Sequence, residues 1–178
     1  MTPESLQLLF SREQIEQRTR ELAARISADY RSRHVALVGV LKGCFVFLAD
    51  IIRNLELDIT IDFVQIASYG DGRSSSGSCT LVRDLAVDIA GRDVLIIEDI
   101  VDTGLTLSRL IAELRRRFPA SLRVCALLDK QCRRRVAVAV DYAGFEVDDV
   151  FVVGCGLDFN ERYRSLPGIY ALPPDEPA

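Results

Sequence analysis

The residues best suited to chemistry lie in one short segment, 94–110, with the sequence VLIIEDIVDTGLTLSRL. Four apolar residues are followed at once by Glu98 and Asp99, and Asp102 comes three residues later. Residues 103–106 then add two threonine hydroxyl groups and a glycine. Three carboxylates beside a phosphate-binding site would need cations or hydroxyl groups as partners, and a sugar diol together with Mg²⁺ would supply both.

The same segment changes from a strand pattern to a helix pattern at its glycine. The run 93–99 is typical of a buried strand, and 105–118 has the apolar spacing of a helix. Backbone N–H groups at a helix N-terminus point outward and carry partial positive charge, which favours phosphate binding. Gly104 permits close approach of a ligand to the backbone, and Thr103 and Thr106 add hydroxyl donors. The segment therefore predicts a phosphate-binding turn beside carboxylates.

A purely structural role would also account for the acidic residues. Asp102 or Thr103 could simply cap the helix, with Glu98 and Asp99 solvated at the strand end, and the residues alone do not decide between this and a site. The triplet Asp-Thr-Gly also occurs in aspartic proteases, but those enzymes need paired aspartates that share a proton, and here the motif occurs once. Neither a Walker A loop nor a dinucleotide-binding glycine pattern is present.

Alternating strand and helix patterns surround the turn and must position it. The first helix is predicted over 10–30, capped by Ser11 with Gln14 three residues on. Its buried face is predicted to comprise Ile15, Thr19, Leu22, Ala23, Ile26 and Tyr30. Further strands are predicted at 34–41, 58–69, 79–82, 121–130 and 148–156, with a second helix at 45–55.

This alternation predicts an α/β fold with a central, mainly parallel sheet flanked by helices. We expect one domain over residues 1–178, with its core at about 34–130. The terminal segments, about 1–30 and 131–178, are expected to form a small hood over that core. The glycine- and serine-rich stretch 70–78 predicts a flexible loop.

Composition excludes several classes of protein. The 178 residues are 49% hydrophobic and 27% charged with a net charge of −4, which is typical of a globular protein and disfavours nonspecific nucleic-acid binding. Five scattered cysteines and the single histidine, His34, disfavour a zinc cluster and favour reduced thiols in the cytoplasm. We expect no signal peptide and no transmembrane helix, because the apolar runs are only as long as strands.

The segment LIIEDIVDTGLTLSRL resembles the phosphoribosyl pyrophosphate signature of the type I phosphoribosyltransferases. Segments 38–53, 61–71, 126–130 and 151–170 follow the order found in the hypoxanthine-guanine phosphoribosyltransferases of that family. The resemblance implies Mg²⁺-dependent purine salvage: transfer of a phosphoribosyl group to N9 of hypoxanthine or guanine, giving IMP or GMP and pyrophosphate. It also implies a homo-oligomer, a dimer or a tetramer.

The resemblance implies specific roles for the residues of the acidic turn. Glu98 and Asp99 match the pair that holds the ribose hydroxyls and metal, and Asp102 matches the general base for the purine. Residues 102–106 match the 5′-phosphate loop, where Leu105 stands at a position that is often lysine in relatives. The phosphoribosyl pyrophosphate site so implied comprises Lys42, Gly43, Glu98, Asp99, Asp102, Thr103, Gly104, Leu105, Thr106 and Arg164.

The purine side is likewise implied by the resemblance. Lys130 matches the lysine that donates to the purine 6-oxo group, Phe151 the stacking aromatic residue, and Val152 a backbone contact. Asp158 matches a residue near both the metal and the purine amino edge. The segment of about 68–80 matches a mobile lid, with Ser68 and Tyr69 at its hinge.

Two positions depart from the family pattern, and two other functions compete. Val150 and Cys155 stand beside the expected base pocket where relatives often carry lysine and tyrosine. A regulator that senses phosphoribosyl pyrophosphate and binds nucleic acid would share this core, but the net negative charge and the presence of Asp102 and Lys130 favour an enzyme. A transferase for adenine or pyrimidine bases is disfavoured by segment 151–159. The arginines of 133–135 are predicted to be solvated, with Arg134 also possible at a subunit interface or at the site edge.

Overall fold

A computed structural model of the chain describes residues 6–69 and 78–173. The helices are α1 (Arg12–Asp29), α2 (Phe45–Ile52) and α3 (Leu105–Arg115), with one 3₁₀ turn at Gln131–Arg133. The strands are β1 (Gln7–Phe10), β2 (His34–Leu41), β3 (Asp58–Tyr69), β4 (Ser78–Arg83), β5 (Asp93–Val101), β6 (Ser121–Asp129), β7 (Tyr142–Glu146), β8 (Val152–Val153) and β9 (Ile169–Ala171).

Six strands form the main sheet in the order β4-β3-β2-β5-β6-β7. All neighbours in it are parallel except β4, which pairs antiparallel with β3 at one edge. This arrangement confirms the predicted α/β class with a mainly parallel sheet. Because β2, β5 and β6 are parallel neighbours, the loops that follow them meet at the same edge of the sheet.

Alternate side chains of the central strands enter two separate cores. On one face, Leu95 and Ile97 of β5 pack in the cluster that contains residues of α1 and α2. On the other face, Val94 and Ile96 pack with the buried leucines of α3. A strand covered on both faces is apolar at every position, which explains the uninterrupted run 94–97.

Helix α1 forms as its sequence predicts. The N–H of Ser11 donates to Gln14 Oε1 at 2.8 Å, and the N–H of Gln14 donates to Ser11 Oγ at 3.3 Å, so the capping box is present. The predicted buried face is confirmed, with Ile15, Thr19, Leu22, Ala23, Ile26 and Tyr30 all buried. The helix itself is slightly shorter than the predicted range 10–30.

A second, three-stranded sheet joins the two ends of the chain in the order β1-β9-β8. Gln7 of β1 and Val152 of β8 both pair with Ala171 of β9. It is built from the segments expected to form a hood, although the main sheet extends beyond residue 130 because β7 pairs with β6. Of the predicted strand 148–156 only Val152–Val153 is a strand, since residues 154–156 all have positive φ angles, of 100°, 49° and 98°.

Strand β3 ends near the start of the expected lid, about 68–80, and strand β4 begins near its end. Tyr69 pairs with Ser78 in the antiparallel register, so Ser68 and Tyr69 are the last residues of β3. Residues 70–77 of the predicted lid lie outside the described part of the chain. Among the described helices, none has the length and apolarity needed to cross a membrane.

Candidate active site

The predicted acidic pair lies at the carboxyl end of β5, in the centre of the main sheet. Glu98 is 8% exposed, and Asp99 is partly exposed. Burial, reinforced by the neighbouring charge of Asp99, raises the pKa of Glu98 well above its usual range. Burial also raises the pKa of Asp99 to about 6, although the N–H of Ile100 donates to its Oδ1 at 2.8 Å. Two adjacent carboxyl groups, one buried and one partly exposed, form a place where a cation or hydroxyl donors would be stabilised.

The loop after β2 contacts this pair directly. It begins with a cis peptide bond between Leu41 and Lys42. At Gly43, a Cβ atom would lie 1.5 Å from Asp99 Oδ2, so the backbone approaches the carboxylate as closely as only glycine permits. A Cβ on Gly156 would lie 2.1 Å from the carbonyl oxygen of Gly43. Three segments distant in sequence are therefore packed closely around Asp99.

The predicted phosphate-binding turn precedes α3. Gly104 occupies the N-cap position with a φ of 78°, and a Cβ there would lie 2.6 Å from the carbonyl oxygen of Val136. The N–H of Leu105 donates a long hydrogen bond of 3.4 Å to Thr103 Oγ1, and Thr106 lies in the first helical turn. The N-cap residue is Gly104, not Asp102 or Thr103. Helix capping therefore does not account for the carboxylate of Asp102.

Asp102 is held by Arg133 and Arg134, of which only Arg134 was considered for the site edge from the sequence. Its Oδ1 is buried and accepts no hydrogen bond within the described residues, and Arg133 Nε lies 3.6 Å away. Arg133 also pairs with Asp149, with 3.3 Å between Nη1 and Oδ1. The backbone oxygen of Asp102 accepts from Arg134 Nε at 3.1 Å, and Arg134 pairs in turn with buried Asp129. The prediction that these arginines are solvated is therefore wrong for Arg134, and the alternative position at the site edge agrees with its contacts.

A cavity of about 600 Å³ opens beside Asp102 and collects the predicted purine-side residues. Its walls include Asp102, Lys130, Arg133, Val150, Phe151, Val152, Leu157, Asp158 and Phe159. Lys130 is only 4% exposed, and its Nζ donates to the backbone oxygen of Val150 at 2.7 Å. Phe151 is 46% exposed and packs edge-to-face against Phe159, with ring centroids 5.4 Å apart. A cavity with one exposed aromatic face and one buried cation suits a planar, polar ring.

The last predicted residues form a charged network at the edge of the site. Arg164 Nη2 lies 2.8 Å from Asp158 Oδ1 and 3.1 Å from Glu161 Oε2. The other oxygen of Glu161 accepts from Lys42 Nζ at 2.9 Å. Arg164 Nη1 donates to the backbone oxygen of Gly156 at 2.8 Å, which fixes the guanidinium group. Glu161 was not predicted, since its three-residue spacing from Arg164 signals an ion pair only in a helix, which this segment does not form.

One residue expected beside the base pocket lies elsewhere. Cys155 is 3% exposed, belongs to the core cluster of α1 and α2, and lines a second cavity between these helices and residues 164–167. Its φ of 49° places it in a turn between two glycines, which aims its side chain differently from that of Val150. Val150 does line the purine-side cavity, as expected.

Comparisons with known proteins agree with this arrangement. A family model described as a phosphoribosyl transferase domain matches residues 8–160. The chain is 44% identical over 167 residues to the hypoxanthine-guanine phosphoribosyltransferase of Bacillus subtilis, a match that covers 94% of this chain and 93% of that relative. It is also 44% identical over 168 residues to the same-named protein of Aquifex aeolicus, covering 94% of each. A crystal structure of a hypoxanthine phosphoribosyltransferase from Staphylococcus aureus matches with a TM-score of 0.92 and 40% identity, over 96% of this chain and 94% of that chain.

Proposed function

This chain belongs to the phosphoribosyl transferase family, and we propose that it salvages purines by moving the 5-phosphoribosyl group of phosphoribosyl pyrophosphate onto N9 of hypoxanthine or guanine. The products are IMP or GMP and pyrophosphate. One observation carries the proposal: Asp102, Lys130 and Phe151 line one cavity, at the same sheet edge as the acidic pair Glu98 and Asp99. A base, a 6-oxo donor and a stacking surface thus adjoin a site for a sugar diol.

The reaction requires positive charge to develop on the ribose ring. As the bond from ribose C1′ to the pyrophosphate oxygen breaks, N9 of the purine forms the new bond to C1′, and pyrophosphate leaves with the bonding electrons. The carboxylates of Glu98 and Asp99 hold the ribose hydroxyls and stabilise this charge. Asp102 takes the proton that the purine must lose, at N7. A positioned base of this kind contributes roughly 10²–10⁴-fold to the rate.

Glu98, Asp99 and Asp158 are the residues proposed to hold Mg²⁺. The described residues contain no ready-made cluster of three or more metal ligands. The site still fits the ion, because Mg²⁺ is usually bound by one or two carboxylates together with substrate phosphates. The charge of a bound cation would stabilise the ionised forms of Glu98 and Asp99, which desolvation disfavours. When bound, Mg²⁺ supplies charge neutralisation for the leaving pyrophosphate.

Lys130 is proposed to select 6-oxopurines. Its ammonium group has three donors, and one of them is used on the Val150 carbonyl, so others can reach the 6-oxo oxygen. The 6-amino group of adenine would place a donor against this cation, which disfavours adenine. Phe151 offers its exposed ring face for stacking, and Val152 contributes its backbone.

The phosphates are proposed to bind at two places. Residues 102–106 cradle the 5′-phosphate with backbone N–H groups and the hydroxyls of Thr103 and Thr106, and Leu105 contributes its N–H without a charge. Lys42, the backbone at Gly43 and Arg164 face the pyrophosphate. The planar fork of arginine suits two phosphate oxygens at once.

Further features are proposed from the sequence and its family. The chain is one domain, and the segment of about 68–80 closes as a lid hinged at Ser68 and Tyr69, which would exclude water from the ribosyl cation. The protein is a cytoplasmic homo-oligomer, a dimer or a tetramer, which binds neither nucleic acid nor membrane. Light scattering after gel filtration measures the assembly directly.

A spectrophotometric assay tests the proposed activity. Phosphoribosyl pyrophosphate and Mg²⁺ are supplied with hypoxanthine, guanine, xanthine or adenine in turn. We expect turnover with hypoxanthine, guanine or both, and little with adenine. If no 6-oxopurine reacts while phosphoribosyl pyrophosphate still binds, the chain is instead a sensor of that ligand.

A further inference from the structure

The carboxylate of Glu161 pairs with both cations that are proposed to bind pyrophosphate, Lys42 and Arg164. Glu161 Oε1 accepts from Lys42 Nζ at 2.9 Å, and Glu161 Oε2 lies 3.1 Å from Arg164 Nη2. Lys42 and Glu161 are 119 residues apart in the chain. The two oxygens of Glu161 thus bridge the cations in the way that two oxygens of a phosphate group would.

The backbone of Glu161 is built to present this carboxylate. Its φ is 60°, in the left-handed region, and the preceding Asn160 has a φ of 51°. The N–H of Glu161 donates to Asp158 Oδ2 at 2.9 Å, which anchors the turn. Non-glycine residues rarely adopt this conformation, and it persists where surrounding contacts hold it. The position of the Glu161 backbone, from which the carboxylate reaches both cations, is therefore specified by the fold.

We propose that Glu161 is an internal competitor of pyrophosphate, which occupies Lys42 and Arg164 in the empty site and returns to them when the product leaves. This inference rests on the proposed function and adds a residue to it. Pyrophosphate must displace the carboxylate to reach the same donors, and its charge is repelled by the carboxylate that remains nearby. Glu161 therefore weakens pyrophosphate binding and speeds its release.

Exposure favours this role over simple support of the two cations. The side chain of Glu161 is 65% exposed and that of Lys42 is 56% exposed. Ion pairs between exposed side chains are weak, so a substrate with several negative charges can break them readily. Arg164 does not depend on Glu161 for its position, because it also binds the Gly156 carbonyl and Asp158.

The chain offers a matched control for a test of this role. Glu113 pairs with Arg116 at 3.0 Å and i,i+3 spacing, on an exposed face of α3. A Glu113→Gln variant therefore removes the same charge from the same kind of ion pair away from Lys42. The test compares Glu161→Gln and Glu161→Ala with this control and with the unmodified protein.

Calorimetric titration with pyrophosphate in the presence of Mg²⁺ gives the dissociation constant, and inhibition of turnover by added pyrophosphate gives an independent value. We expect both Glu161 variants to bind pyrophosphate about three- to tenfold more tightly, as removal of one nearby charge at a protein surface should produce. The Glu113→Gln variant should match the unmodified protein.

The possible outcomes separate the two proposals. If the unmodified enzyme turns over but Glu161→Gln binds pyrophosphate equally or more weakly, Glu161 supports the cations and the inference is overturned. If Glu113→Gln tightens binding as much as Glu161→Gln, the effect is one of net charge alone and the inference also fails. If the unmodified protein neither turns over nor binds pyrophosphate by either measurement, the proposed function fails and the inference falls with it.

Discussion

Replacement of Asp99 by asparagine tests whether the fold carries a cost for burying the carboxylates of its site. Burial raises the pKa of Asp99 from an ordinary 3.8 to about 6. An acid with a higher pKa in the folded state binds its proton more tightly when the protein is folded. Protonated Asp99 therefore contributes fully to the free energy of unfolding below about pH 4, and this contribution is lost as the pH rises through about 6. Since one pKa unit corresponds to about 1.4 kcal/mol, the loss amounts to roughly 3 kcal/mol at most.

Asparagine removes the charge and preserves the packing. Its Oδ1 can still accept from the N–H of Ile100, now 2.8 Å from Asp99 Oδ1, and its size suits the close contact with Gly43. We therefore expect the metal-free Asp99→Asn variant to be more stable than the unmodified protein by up to about 3 kcal/mol at pH 8, and nearly equal to it at pH 4. The stability of the variant should still decline somewhat as the pH rises, because burial also raises the pKa of Glu98.

Urea unfolding in the presence of a chelator, followed at several values between pH 4 and pH 8, measures this difference. The free energy of unfolding falls by about 1–3 kcal/mol per molar urea, so the expected stabilisation raises the urea concentration at the unfolding midpoint by roughly 1–3 M at pH 8. Exposed Asp148 gives a control, and the Asp148→Asn variant should not be more stable than the unmodified protein at pH 8. Parallel curves for Asp99→Asn and the unmodified protein would refute the reasoning.

Three other substitutions test individual roles. Asp102→Asn keeps the shape of the side chain but removes its basicity, so kcat should fall by roughly 10²–10⁴-fold with little change in the affinity for phosphoribosyl pyrophosphate; an unchanged single-turnover rate would exclude Asp102 as the base. Lys130→Met keeps the buried stem and removes the donor, so KM for the purine should rise while Tm changes little, and a fall in Tm with normal kinetics would assign a purely structural role. Gly43→Ala would place a Cβ 1.5 Å from Asp99 Oδ2, which should cost about 1–3 kcal/mol of stability in addition to activity, and a variant with the normal Tm would contradict the observed packing.

Local patterns predicted the elements whose residues interact with near neighbours in the chain. Ser11 and Gln14 form the predicted capping box, and the strand at 93–99 is buried on both faces as its apolar run indicates. The short strands β1, β7 and β9 were not predicted, because three to five residues carry too little periodicity and their pairing partners lie far away in sequence. Cys155 was misplaced because a positive φ redirects its side chain, and no local pattern signals that angle.

The order of residue types along the chain was enough to show that carboxylates, a glycine and threonines follow a buried strand, and that this pattern resembles a phosphoribosyl pyrophosphate site. These features lie within a dozen residues, so local spacing reveals them. The folded arrangement was needed to show that Arg133 stands 3.6 Å from Asp102 and that Glu161 bridges Lys42 and Arg164. The contact of Arg133 with Asp102 arises because the loops after the parallel strands β5 and β6 meet at one edge of the sheet. The contact of Glu161 with Lys42 joins the segment between β8 and β9 to the loop after β2, and no local pattern encodes which of these side chains will touch.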